Sequence, residues 1–285
     1  MATQQPNPLT RYMRQPVIYI KLPSNGQFWP AGALDMPLNG ELPVLSLSTR
    51  DEIVLNTPDA LMNGQGVVDV IQSCCPNIKN AWAIPSVDVD TILIAMRIAS
   101  YGEQMSYNSK CPSCEEDNEY EIDLREWLGA GVEISGFQEP FKFKDLLIHI
   151  KPNDYKSMND GNMEQFEQQR LVQTVNDSSL SEQEKQNRFN DIFSIMTQYT
   201  IRSIAGSISK IVTPEGSEVS DAGTILDFVE NAERGLYDSV KKQVEQAISK
   251  IPNKVVPTTC PECQHAYETP FTFDQSNFFA FASSV

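Results

Sequence analysis

The chain has 285 residues, 40% of them hydrophobic and 21% charged, enough apolar material for one large or two medium cores. Its 22 basic and 38 acidic side chains leave a net charge of −16, which argues against nucleic-acid binding, because non-specific affinity for phosphate comes from Lys and Arg. No run approaches the ~20 apolar residues of a membrane span, and Met1 to Asn7 lacks the apolar stretch of a secretory signal. A soluble protein that stays where it is made is expected.

Residues 1–50 read as an extended, β-rich N-terminal arm. Val17-Ile18-Tyr19-Ile20 is a short strand, Pro23-Ser24-Asn25-Gly26 is turn chemistry, and Asn39-Gly40 predicts a hairpin between Met36-Pro37-Leu38 and Leu42-Pro43-Val44. Prolines at 16, 23, 30, 37 and 43 limit regular structure to edges. Residues 1 to about 16 show no core-forming pattern and are expected to order only on a partner.

Residues 51–103 turn helical. Asp51 to Asn56 and Pro58 to Met62 predict short helices, the second capped by Thr57, and Val67 to Cys75 a third. Ser86 to Ser100 predicts a longer one, with Ser86 as cap, Asp88 and Asp90 at its positive end, and Gly102 as its stop. Cys74 and Cys75 sit in an apolar run and read as small core residues.

Residues 104–151 contain the first of two matched motifs. Gln104 to Leu124 reads as a hairpin bent around Cys111-Pro-Ser-Cys114, followed by strands at Phe141 to Phe143 and Leu147 to Ile150. The stretch Glu115 to Glu126 carries seven carboxylates against Arg125 alone. It reads as a solvated face, with a dock for a basic partner as the alternative. His149 alternates with apolar neighbours and reads as a half-buried strand residue.

Residues 152–252 read as a mainly helical insertion. Glu164 to Val175 is one helix, and Ser181 with Glu184 forms a capping box opening a second, striped by Ile192, Ile195, Met196 and Tyr199. Pro214-Glu215-Gly216 marks a hairpin turn, and Ser220 or Asp221 caps another helix, interrupted near Gly235. Leu236, Val240, Val244, Ala247 and Ile251 line the last helix, ended by Pro252.

Residues 253–285 hold Cys260-Pro-Glu-Cys263 and an aromatic tail. Two thiolates two residues apart on a tight turn take adjacent corners of a tetrahedron, and a second such turn completes a closed structural zinc site. One zinc per chain, held by Cys111, Cys114, Cys260 and Cys263, is therefore expected. The two pairs are separated by residues 115–259, so the site is split across the chain, and the entropy of closing so long a loop grows only logarithmically. His265 reads as exposed, with replacement of one cysteine as ligand, or a hydrogen bond to a sulfur, as the alternative. Phe271, Phe273, Phe278, Phe279 and Phe281 crowd the tail.

The fold class is thus α+β: a β-rich N-terminal arm and zinc-ribbon-like knuckles joined by a split four-cysteine site, with a long helical insertion. Four cysteines leave zinc no open position for water or substrate, and no Gly-rich phosphate loop, Gly-x-Ser-x-Gly or His-Glu-x-x-His motif is present. No enzyme is expected, and no catalytic residue is assigned.

A series of motifs, taken in order, resembles the baseplate hub and hub-assembly proteins of T-even-like contractile-tailed bacteriophages. It runs from Ile18-Tyr19-Ile20-Lys21-Leu22-Pro23-Ser24-Asn25-Gly26 through Asn39-Gly40-Glu41-Leu42-Pro43-Val44 and Thr49-Arg50-Asp51-Glu52 to Thr57-Pro58-Asp59-Ala60-Leu61-Met62-Asn63-Gly64. It continues with Ala95-Met96-Arg97-Ile98-Ala99-Ser100-Tyr101-Gly102 before the first knuckle, and with Asp274, Ser276, Asn277, Phe278 and Phe279 after the second. The resemblance implies a non-enzymatic structural or assembly role in the tail hub, in the infected host cytoplasm and, if retained, in the virion baseplate. Partners would be other hub proteins, met through Phe278, Phe279 and the N-terminal arm, with no nucleic acid and no membrane span. A zinc-ribbon nucleic-acid-binding or transcription-related protein is the alternative, and a Cys-x-x-Cys redox protein a third reading.

Overall fold

The computed structural model describes residues 9, 12–57, 64–128, 134–163, 169, 181–251 and 255–270. In chain order these form strands β1 (Pro16–Ile20) and β2 (Leu42–Leu45), then helices α1 (Thr49–Leu55), α2 (Gln65–Cys74) and α3 (Ser86–Tyr101). Strands β3 (Gln104–Lys110), β4 (Asp117–Asp123), β5 (Phe141–Phe143) and β6 (Leu146–Ile150) follow, then helical backbone over 155–163 and helix α4 (Glu182–Gly206). Strands β7 (Ile208–Val212) and β8 (Glu218–Val219), helices α5 (Ala222–Asn231) and α6 (Arg234–Ser249), and strands β9 (Val255–Thr259) and β10 (Ala266–Pro270) follow within the described residues. The architecture is α+β, with every strand pairing antiparallel.

Two apolar cores organise these elements. The first is built around α3, whose sequence is apolar on nearly every face, as a helix wrapped by neighbours must be. Ile92, Leu93, Ile94, Ala95 and Met96 are all buried there against β1, β2 and α2. Asp88 lies in the first turn, as expected, but its carboxylate is fully buried. It accepts from the Ser24 N–H at 2.9 Å, the Ser24 hydroxyl at 2.5 Å and Trp29 Nε1 at 2.8 Å. Burial nevertheless holds its pKa above the usual carboxylate value against these hydrogen bonds. The N-cap of α3 is Pro85 rather than Ser86, which is already helical.

The arm departs from expectation in two ways. Asn39-Gly40 does form a turn, with Gly40 at φ 72° and its N–H on the Pro37 carbonyl. The partner of β2, however, is β1, paired Ile18 with Val44 and Ile20 with Leu42. A hairpin signal fixes a turn but not which strand returns. The expectation that residues up to 16 lack anchorage also fails at Arg14. Its guanidinium reaches the Ser46 carbonyl at 2.7 Å, Asp51 Oδ2 at 2.9 Å, and the Ser73 carbonyl and hydroxyl at 3.0 and 2.6 Å.

The second core lies between the sheet β5-β6-β7-β8 and helices α4, α5 and α6. The residues Leu236, Val240, Val244 and Ala247 of α6 are buried as their spacing predicts. Gly136 sits against α6 so closely that a Cβ there would lie 2.7 Å from Ala247 Cα. The sheet also crosses the boundary drawn at residue 151: β7, from within the expected helical insertion, pairs Ile148 with Ile211 and His149 with Lys210. The half-buried position of His149 agrees with its sequence reading. The capping box of Ser181 and Glu184, the Asp221 cap and the turn at Gly216 are present as expected. The stripe on α4 is only partly used, since Ile192 is buried while Ile195 is exposed.

The cores meet where α3 begins. Val87 points to the second core while Val89 and Ile92 point to the first. Ser86 N–H donates to the Asn153 carbonyl, Tyr155 N–H to that of Ile84, and Phe28 meets Phe137 edge-on. The expected helix at Pro58 to Met62, that at Glu164 to Val175 apart from Gln169 (helical backbone), the Pro252 stop and the aromatic tail lie outside the described residues. Among the described residues, no helix is long and apolar enough to cross a membrane.

A candidate metal centre at paired knuckles

Each Cys-Pro-x-Cys motif occupies the bend of a two-stranded antiparallel hairpin, β3 with β4 and β9 with β10. The two bends share the same backbone hydrogen bonds. Cys111 N–H donates to the Glu116 carbonyl at 2.9 Å, and Cys260 N–H to that of His265 at 2.9 Å. Glu115 N–H returns to the Cys111 carbonyl, and Gln264 N–H to that of Cys260. Glu115 and Gln264 take the same left-handed conformation, at φ 61° and 59°. Identical spacing with proline after the first cysteine thus yields the same turn twice, although only the cysteines and prolines match.

The turns face each other. All four sulfurs lie within 4.8 Å of one another, with Cys111 Sγ 3.6 Å from Cys263 Sγ and Cys114 Sγ 3.6 Å from Cys260 Sγ. A disulfide requires about 2.05 Å, so these are thiols. A tetrahedron of sulfurs about 2.3 Å from a central zinc has edges of about 3.8 Å, close to what is seen. Cys111 and Cys260 are buried, while Cys114 and Cys263 face outward. Ser113 N–H points at Cys111 Sγ at 3.4 Å, and the Asn118 amide at Cys260 Sγ at 3.6 Å.

Electrostatics set the thiols against one another. Desolvation opposes ionisation of Cys111, but N–H groups of Cys114 and Ser113 and two neighbouring thiols outweigh it, bringing the pKa down to about 6. At Cys114 a hydrogen bond from Glu116 favours the thiolate, but the Cys263, Cys111 and Cys260 sulfurs and desolvation push it up to about 12. Sulfurs this close cannot all ionise unless a cation sits among them. The donor set, its spacing and its hydrogen bonds therefore fit a thiophilic metal.

His265 is exposed, with its ring stacked on Tyr267 at 6.2 Å and outside the sulfur cluster. Cys74 and Cys75 are buried in the first core, and desolvation pushes the Cys74 thiol up to about 12. Asp117, Glu119 and Glu121 project into solvent from β4, with half-buried Tyr120 and buried Ile122 on its other face.

Sequence reasoning missed how the hairpins touch. Tyr107 and Thr258 hydroxyls meet at 2.8 Å, Ser109 and Thr269 at 2.9 Å, Tyr267 and Ser109 at 3.2 Å, and Tyr120 and Tyr267 at 3.3 Å. The available signal was that Ser109 and Thr258 each stand two residues before the first cysteine of their knuckle.

Fold and site define an α+β protein with two apolar cores and a zinc-ribbon-like four-cysteine cluster split across the chain. The chain belongs to the family described as T4 bacteriophage base plate protein, whose model matches residues 45–280 and so takes in both knuckles. That membership supports a structural role in a phage baseplate alongside other baseplate proteins. No curated protein and no solved structure matches the chain.

Proposed function

We propose that this protein is a non-enzymatic component of the baseplate hub of a contractile phage tail, either a hub subunit or a factor that assembles it. A zinc ion bound by Cys111, Cys114, Cys260 and Cys263 fastens its two cysteine hairpins together. The observation that carries this reading is the convergence of four sulfurs, from knuckles far apart in sequence, inside the stretch matched by the family. Bound there, zinc supplies four metal–thiolate bonds and no site for substrate, because the donor set is already complete. The chain's own residues do the remaining work: the turn N–H groups and Asn118 hold the sulfurs in place, and the hydroxyls between the hairpins set their angle.

The acidic outward face of β4 argues against nucleic acid as the partner, since phosphate would meet Asp117, Glu119 and Glu121. The hub contacts are assigned to Phe278, Phe279 and the N-terminal arm, with assembly in the host cytoplasm. A density map of purified baseplates tests the reading. A subunit would appear beside the central hub; an assembly factor would be absent from the map, yet its loss would leave baseplates without a hub. Location at the periphery, or normal hubs without the protein, would contradict it.

A further inference from the structure

The two hairpins make equivalent turns but are held very differently. The first grows out of α3 with only Gly102 and Glu103 between. Ile122 and, just past the strand, Leu124 are buried in the first core, and Met105, Tyr107, Trp127 and Leu128 pack against it. Of the described residues in the second hairpin, Val256 alone joins that core. Its polar contacts with the first hairpin run through the hydroxyls of Tyr107, Ser109, Tyr120, Thr258, Tyr267 and Thr269, with the Asn118 amide and the sulfurs beside them.

Hydroxyl pairs contribute little net, because water satisfies the same groups when they part. A lone two-stranded hairpin is at best marginally stable in water. The preceding helix α6 has its own footing, with Leu236, Val240, Val244 and Ala247 buried in the second core. The second hairpin therefore has a firm attachment upstream and none of comparable strength where it docks.

Resting on the zinc reading above, we propose that the site is a one-sided latch. The first knuckle is anchored by the core whether or not metal is present, and metal captures the second. Removing the metal frees residues 255–270, and with them the point from which residues 271–285 leave, while both cores stay folded. Docking of the second hairpin is then a late step in maturation of the chain.

The test is hydrogen exchange read by mass spectrometry on the full chain as purified, before and after chelation, with metal content measured on the same samples. Protection in 255–270 should fall about tenfold or more, with a smaller loss in 104–123 and none in 86–101 or 234–249. Cys263→Ser, which removes an exposed ligand, should reproduce that pattern without chelator. Loss of protection across both cores together would overturn the latch, as would departure of the metal with 255–270 still protected. A chain that carries no metal and takes up none, with 255–270 protected, would instead overturn the zinc reading on which the latch rests.

Discussion

Helix α3 runs almost directly into the first knuckle, yet the helix and the paired knuckles are held by opposite means. Around α3 nearly every side chain is removed from water, and burial of a Leu or Ile side chain is worth about 1.5–3 kcal/mol. Between the hairpins, hydroxyls face hydroxyls and four sulfurs converge. Burial makes the core sensitive to side-chain volume and insensitive to metal, whereas the proposed ligation would give the knuckles the reverse character.

That contrast breaks if mutations in one region behave like those in the other. The largest effect is expected from Ile92→Ala, a cavity at a fully buried position, which should lower unfolding free energy by about 2–5 kcal/mol while metal content stays unchanged. Asp88→Ala should cost about 3 kcal/mol, because the Ser24 N–H, the Ser24 hydroxyl and Trp29 Nε1 lose their acceptor. Gly136→Ala should cost about 1–3 kcal/mol by forcing a methyl against Ala247. Urea denaturation monitored by tryptophan fluorescence checks all three, each beside a metal assay.

A pH series sharpens the same picture with smaller effects. Burial would raise the Asp51 pKa, but hydrogen bonds from Ser48 and Ser73 and the Arg14 guanidinium outweigh it, holding the carboxyl below 3.8. Its contribution is therefore fully present above about pH 3.8 and is lost as pH falls through the folded value. Asp88 has the opposite sign: with its folded pKa raised, stability falls as pH climbs from 3.8 through that value. Asp51→Asn should thus destabilise more at pH 7 than near pH 3. An equal penalty at both would contradict the assignment.

Local signals were legible where one segment sets its own structure. The Ser181 and Glu184 capping box, the Asp221 cap, the stripe on α6 and both knuckle turns depend on residues within a turn or two of each other. What the sequence hid is long-range pairing. Nothing in Ile208-Ser-Lys-Ile-Val says that it lies beside β6, or that β2 returns to β1 rather than to the turn before it. The anchorage of Arg14 was hidden because its partners on α1 and α2 are distant in sequence. The four ligand candidates could be named in advance because metal ligation imposes a spacing, while the hydroxyls between the hairpins follow no motif.

Native mass spectrometry of the protein as purified tests the central claim most directly. The intact chain should carry the mass of a single zinc ion, which acid or chelator removes with the appearance of four newly titratable thiols at Cys111, Cys114, Cys260 and Cys263. A metal-free chain, folded, with those four thiols already open to titration, would contradict it.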